Sequence, residues 1–70
     1  MAEQLTPRER DIAQLLTQGL TNKEIGQHLH LSAGTVKNYI ARLLPKLQAG
    51  DRTQAAVRAI ELGLTQRTAA

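Results

Sequence analysis

Residues 21–44 read TNKEIGQHLHLSAGTVKNYIARLL, and two helix starts follow one another closely within them. Thr21 is followed three residues later by Glu24. The threonine hydroxyl is thereby placed to accept from the Glu24 N–H, while the carboxylate reaches back to the Thr21 N–H. Ser32, ahead of Ala33, Gly34 and Thr35, opens the second helix as a cap without the reciprocal acid. The first helix is short, with Ile25 and Leu29 inward and Gly26 permitting close approach. The second carries Val36, Ile40, Leu43 and Leu47 on one stripe, widened by Leu44 and Tyr39. Only His30 and Leu31 stand between the first helix and the Ser32 cap. So short a link forbids an antiparallel pair. The helices must cross steeply, which is a helix-turn-helix unit.

Outward from this unit, two more helix starts appear. Thr6, Pro7, Arg8 and Glu9 form a capping box with proline at the first helical position. Asp51, ahead of Arg52, Thr53 and Gln54, is a cap with glutamine at the third position. Gly19 and the pair Ala49–Gly50 separate the helices, and Gly63 is placed to close the last one. Ile12, Leu15, Leu16 and, just beyond, Leu20 give the first helix its inner face, with Ala13 as a second point of close approach. No segment alternates with period two, so no sheet is predicted. The segments between caps share no other pattern, which excludes a solenoid. The predicted fold is all-α: a four-helix helix-turn-helix domain over residues 5–64, its third helix (about Ala33–Leu47) the recognition helix, with tails at 1–4 and 65–70.

Seventy residues make one small domain, which buries only about 60% of its unfolded surface. Hydrophobic residues are 41% and charged residues 21%, a globular balance. With Tyr39 the only aromatic, the core must be aliphatic. There is no cysteine, no apolar run of membrane-spanning length, and no basic-then-apolar signal pattern in Met1–Gln4. A large enzyme pocket is nearly excluded on size, and no nucleophile with a base and no paired inward carboxylates occur, so no enzyme is expected. His28 and His30 have the spacing of metal ligands, but no carboxylate or cysteine joins them. No metal, cofactor, small-molecule ligand or membrane partner is expected.

The net charge is +3, from nine Lys and Arg against six Asp and Glu. Between Glu24 and Asp51 there is no acid, while Lys37, Arg42 and Lys46 all lie there. Outside that window six bases face six acids, so the central segment carries the whole excess. An acid-free basic stretch suits a polyanion, because phosphates attract cations and repel carboxylates. Three bases alone suit a solvated helix face equally well. What separates the two readings is that the window coincides with the second helix of the helix-turn-helix.

The stretches LTPRERDI (5–12), GLTNKEIGQHL (19–29), SAGTVKNYIARLL (32–44) and DRTQAAVRAIELGL (51–64) together resemble the LuxR-type helix-turn-helix domain, the output domain of NarL/FixJ-type response regulators and quorum-sensing regulators. The resemblance runs from Leu5 to Leu64. It departs at Gly26, where the family usually has alanine, and at Pro45, where it usually has a polar or basic residue. Inside a helix Pro45 deletes the bond to the Ala41 carbonyl and crowds it, at about 3 kcal/mol. A kink or loosening of the third helix near Ala41–Leu44 is therefore expected.

The resemblance implies base contacts from Lys37, Asn38 and Ala41 in the major groove. Lysine can donate to guanine O6 and N7, asparagine can pair with adenine N6 and N7, and alanine can touch a thymine methyl. Arg42, on the flank, reaches a base or a phosphate. Thr21, Asn22, Lys23, Thr35, Tyr39 and Lys46 are the expected phosphate contacts, Lys46 subject to the disturbance at Pro45. Glu24 would repel DNA and is read as a capping acid only. The fourth helix is apolar on two sides: Ala55, Ala59 and Leu62 on one, Val57, Ile60 and Leu64, with Thr53 and Ala56, on the other. Size alone would bury Val57 and Ile60. The resemblance implies the reverse, with small Ala55 and Ala59 inward and Thr53, Val57 and Ile60 meeting a second copy.

The expectation that follows is a sequence-specific transcription regulator of the bacterial cytoplasm, bound to the nucleoid as a homodimer on double-stranded DNA, with RNA polymerase a further partner. The chain begins at Met1 and carries no phosphoacceptor or ligand-binding domain, which fits both a standalone regulator and an output domain of a two-component system. Two alternatives stay open. A sigma-factor region-four-like domain shares the LTPRE…EI…S..TV pattern, although the R-T-x-A helix and Gly-Leu ending argue against it. A helical protein-interaction domain without DNA binding is the other.

Overall fold

A computed structural model describes residues 5–64, and among these there are four helices and no strand. They are α1 (Pro7–Leu16), α2 (Asn22–Leu29), α3 (Ala33–Lys46) and α4 (Arg52–Glu61). The tails expected at 1–4 and 65–70 lie outside the described residues.

Each helix begins where a side chain can satisfy its first free N–H groups. Thr6 Oγ1 accepts from Glu9 N–H at 3.1 Å and Glu9 Oε1 accepts from Thr6 N–H at 2.9 Å. Thr21 and Glu24 repeat the exchange at 3.1 and 2.8 Å. Ser32 Oγ accepts from Thr35 N–H at 3.1 Å, and Asp51 Oδ1 from Gln54 N–H at 2.8 Å. Each cap of this kind stabilises its helix by about 1 kcal/mol.

The helix ends depend on left-handed residues, only some of them glycine. Gly19 (φ 77°) and Gly63 (φ 76°) take that conformation, and so do His30 (φ 60°) and Gln48 (φ 56°). At Gln48 the chain folds back so that Ala49 N–H donates to the Leu44 carbonyl at 2.9 Å. At Gly63 the same device sends Leu64 N–H to the Ala59 carbonyl at 2.8 Å. That reversal corrects one expectation for α4. Leu62, grouped with Ala55 and Ala59, is exposed, and Leu64, grouped with Val57, is buried.

Pro45 does not end the helix. α3 runs without a break through it to Lys46, and Leu47 N–H still donates to the Leu43 carbonyl at 2.9 Å. The proline stands in the last turn with its ring exposed, so only one rung is lost. The carbonyl it orphans belongs to Ala41, on the solvent side of the helix.

Ile12, Ile25, Val36, Leu43 and Leu47 fill the centre, one aliphatic core drawn from α1, α2 and α3, with Tyr39 half-buried at its rim. α3 packs against each of the other helices, and α4 lies on α1 and α3. Ala55 and Ala59 are fully buried and set that close approach. Gly26 does the same for the turn: a Cβ there would collide with the Leu31 carbonyl oxygen, while Leu31 N–H donates to the Gly26 carbonyl at 2.8 Å.

Candidate nucleic-acid interface

The outer side of α3 is fixed by what its inner side buries. Val36, Ile40 and Leu43 are in the core, so at 3.6 residues per turn Lys37, Asn38, Ala41 and Arg42 must point the other way. All four are exposed. Gly34 and Pro45 continue that face and add no charge. Lys37 and Asn38 make no side-chain hydrogen bond or ion pair with the described residues, so both are free to donate. Arg42 holds its guanidinium 5.9 Å from the centre of the Tyr39 ring, a geometry in which the ring face attracts the cation. The tyrosine thus steadies Arg42 on the flank of α3, beside a shallow depression lined by Thr6, Pro7, Arg8 and Asp11.

The start of α2 forms the second part of the surface. Thr21 Oγ1 and the Glu24 carboxylate serve the cap, which leaves the N–H groups of Asn22 and Lys23 in the first turn. Lys23 is exposed and has no acidic partner among the described residues. Asn22 Oδ1 accepts from Arg52 Nη1 at 2.6 Å, and Arg52 Nη2 donates to the Leu20 carbonyl at 2.8 Å. This bond orients the Asn22 amide, whose NH2 remains a donor. Thr35 is half-buried, its Oγ1 accepting from Ser32 Oγ at 2.9 Å.

Lys46 stands apart from the other expected phosphate contacts. Its ammonium is 2.8 Å from Glu9 Oε1 and 3.1 Å from Oε2. Glu9 is only 4% exposed, the one buried charged residue among those described. The hydrogen bond from Lys46 holds the Glu9 carboxyl below its ordinary range; burial opposes this, and the Thr6 N–H adds to it. Lys46 therefore faces into the domain, towards α1. Nothing local in the sequence signals this pair, because the partners are 37 residues apart. The Arg52 bridge and the bond from Arg58 Nε to the Leu47 carbonyl (3.0 Å) were equally invisible.

On α4, Thr53, Val57 and Ile60 are exposed, Val57 at 49% and Ile60 at 52%. Ala55 and Ala59 face the core, as the resemblance implied and side-chain size did not. Among the described residues no three His, Cys, Asp or Glu side chains form a group able to hold a metal ion, and no helix is long and apolar enough to cross a membrane.

A cationic, acid-poor helix presented by a capped partner helix across a tight turn defines a helix-turn-helix DNA-binding domain. Comparison with known proteins gives its family. The pattern of the bacterial regulatory proteins of the luxR family matches residues 3–59, and the chain belongs to that family. The DNA-binding transcriptional activator DevR/DosR of Mycobacterium tuberculosis is 55% identical over 58 residues, 83% of this chain and 27% of that protein. The transcriptional regulatory protein LiaR of Bacillus subtilis is 53% identical over 57 residues, 81% of this chain and 27% of that protein. Such relatives are response regulators of the NarL type, and the chain spans about a quarter of their length. Among solved structures, the transcription factor GerE superposes with a TM-score of 0.77 at 39% identity, covering 89% of this chain and 92% of that one. VqmA of Vibrio cholerae, a LuxR-type receptor described as a dimer, gives a TM-score of 0.81 at 31% identity, covering 87% of this chain and 28% of that one.

Proposed function

We propose that this domain reads duplex DNA sequence-specifically as the output element of a bacterial transcription regulator, with α3 in the major groove. The observation that carries the reading is the pairing of Lys37 and Asn38. Both are exposed and, among the described residues, unpartnered, on the side of α3 opposite a buried stripe. Lys37 donates to guanine and Asn38 pairs with adenine, Ala41 touches a thymine methyl, and Arg42 reaches a base or a phosphate from its seat on Tyr39. Thr21, Asn22, Lys23, Thr35 and Tyr39 hold the backbone, aided by the positive end of the α2 dipole. Lys46, bound to Glu9, is left out of that set. Two copies meet through Thr53, Val57 and Ile60 of α4, which hides apolar surface that a monomer leaves in water. The protein acts in the bacterial cytoplasm on the nucleoid, with RNA polymerase as a further partner.

Selection of bound duplexes from a random pool, followed by titration of the selected duplex over a range of salt, tests the reading. Recovery of a two-fold symmetric motif is expected. If about three to five phosphates are neutralised per protomer, the log–log salt slope is about −3 to −4.5. No enrichment, with no binding at low salt, would leave a helical protein-interaction domain in its place.

A further inference from the structure

Pro45 removes one rung from the side of α3 that carries the reading residues. Ala41, whose carbonyl loses its donor, is itself one of the proposed reading residues, and Arg42 follows it. Immediately after the proline, Lys46 grips both oxygens of Glu9, at 2.8 and 3.1 Å. Glu9 cannot swing away, since it is 4% exposed and its Oε1 also accepts from the Thr6 N–H. A buried or half-buried ion pair contributes little net stability over apolar contacts of similar volume. A two-oxygen grip does, however, fix a distance and an angle as apolar packing does not.

We propose that Glu9 is a positioning residue for DNA reading: through Lys46 it pins the last turn of α3, across Pro45, to the first turn of α1, and so holds Ala41 and Arg42 in line with Lys37 and Asn38. The inference rests on the DNA-binding reading. It assigns Lys46 to the scaffold, against the sequence expectation of a phosphate contact. At its other end α3 is already held by the Ser32 cap and the tight turn at Gly26. With both ends held, the helix meets the groove as one rigid rod.

The test uses the full chain with Glu9→Gln, Lys46→Met, the double variant and Lys46→Arg, all measured well below their melting temperatures. Each is titrated with the selected duplex and with a scrambled duplex at several salt concentrations. Glu9→Gln and Lys46→Met should each weaken binding to the selected duplex by about 2- to 30-fold, the range expected for coupling through a packed network. Binding to the scrambled duplex should change much less, and the salt slope should stay as in the wild type. The double variant should lose no more than either single one, and Lys46→Arg should restore most of the loss. Should Glu9→Gln not fold, Lys46→Met against Lys46→Arg carries the same comparison. The proposal is overturned if Lys46→Met makes the salt slope shallower by about one unit while Glu9→Gln leaves affinity intact, for then Lys46 contacts phosphate. It is equally overturned if both variants melt earlier yet bind the selected duplex as tightly as the wild type. Failure of the wild-type chain to bind any duplex would remove the DNA reading itself, a different outcome from either.

Discussion

α3 carries one lysine near its start and one in its last turn. Lys37 is exposed with no acidic partner among the described residues, and Lys46 is turned inward onto a carboxylate that is almost wholly buried. Both lie in the acid-free window of the sequence, and by composition they are equivalent. The difference is made by Glu9, which arrives from another helix. A count of basic residues along a segment thus overstates the charge available to a polyanion, and only tertiary packing shows which cations are already matched.

The largest expected effect comes from breaking the matched pair. Glu9→Ala removes the reciprocal bond of the α1 capping box and strands Lys46, which can still turn to water, so we expect a loss of about 2–3 kcal/mol, less than for a fully buried pair. In a domain of this size that lowers the melting temperature by about 10–20 °C, against almost no shift for Lys37→Ala. A loss under about 1 kcal/mol in urea unfolding of Glu9→Ala would erase the contrast between the two lysines. Next comes Lys37→Ala, expected to lower affinity for the selected duplex by about 1–3 kcal/mol and to relax base preference at one position of the motif. An equal loss on every sequence would reduce Lys37 to a phosphate contact. Val57→Glu should abolish cooperative binding to two half-sites while circular dichroism stays unchanged. Unfolding of that variant would mean that Val57 belongs to the core.

Lys23→Ala sharpens the comparison from the other side. On the proposed reading, in which Lys23 meets backbone and not bases, it should weaken all duplexes alike and make the salt slope shallower by about one unit. The smallest effect is in pH. The Glu9 carboxyl has a lower pKa folded than unfolded, so its contribution to stability is complete above the ordinary carboxylate range and is lost as pH falls through the folded value. Acid unfolding of Glu9→Gln should lack that part of the decline. An acid limb identical to the wild type's would place the responsible carboxylate elsewhere.

What the sequence disclosed was local in character. The four caps rest on residues three apart and were readable at Thr6, Thr21, Ser32 and Asp51. The buried stripe of α3, and with it the outward side of Lys37 and Asn38, follows from helical period alone. The burial of Ala55 and Ala59 instead of Val57 and Ile60 did not follow from size, and only the family resemblance supplied it. Two kinds of feature stayed hidden. Left-handed ends at His30 and Gln48 carry no glycine to announce them, and the reversal at Gly63 exchanged Leu62 with Leu64 because it depends on how the chain turns after the helix stops. Contacts such as Glu9 with Lys46, or Arg52 with Asn22 and Leu20, join residues 30 or more apart. Pro45 costs α3 one rung without ending it, because this proline sits where the helix is about to end.

The Leu31 carbonyl occupies the space that a methyl group on residue 26 would need. The turn between α2 and α3 therefore has no room for a side chain at position 26, and Gly26→Ala would have to displace the Leu31 carbonyl. A single hydrogen atom at position 26 thus sets how closely the backbone of α2 and the turn after it can approach.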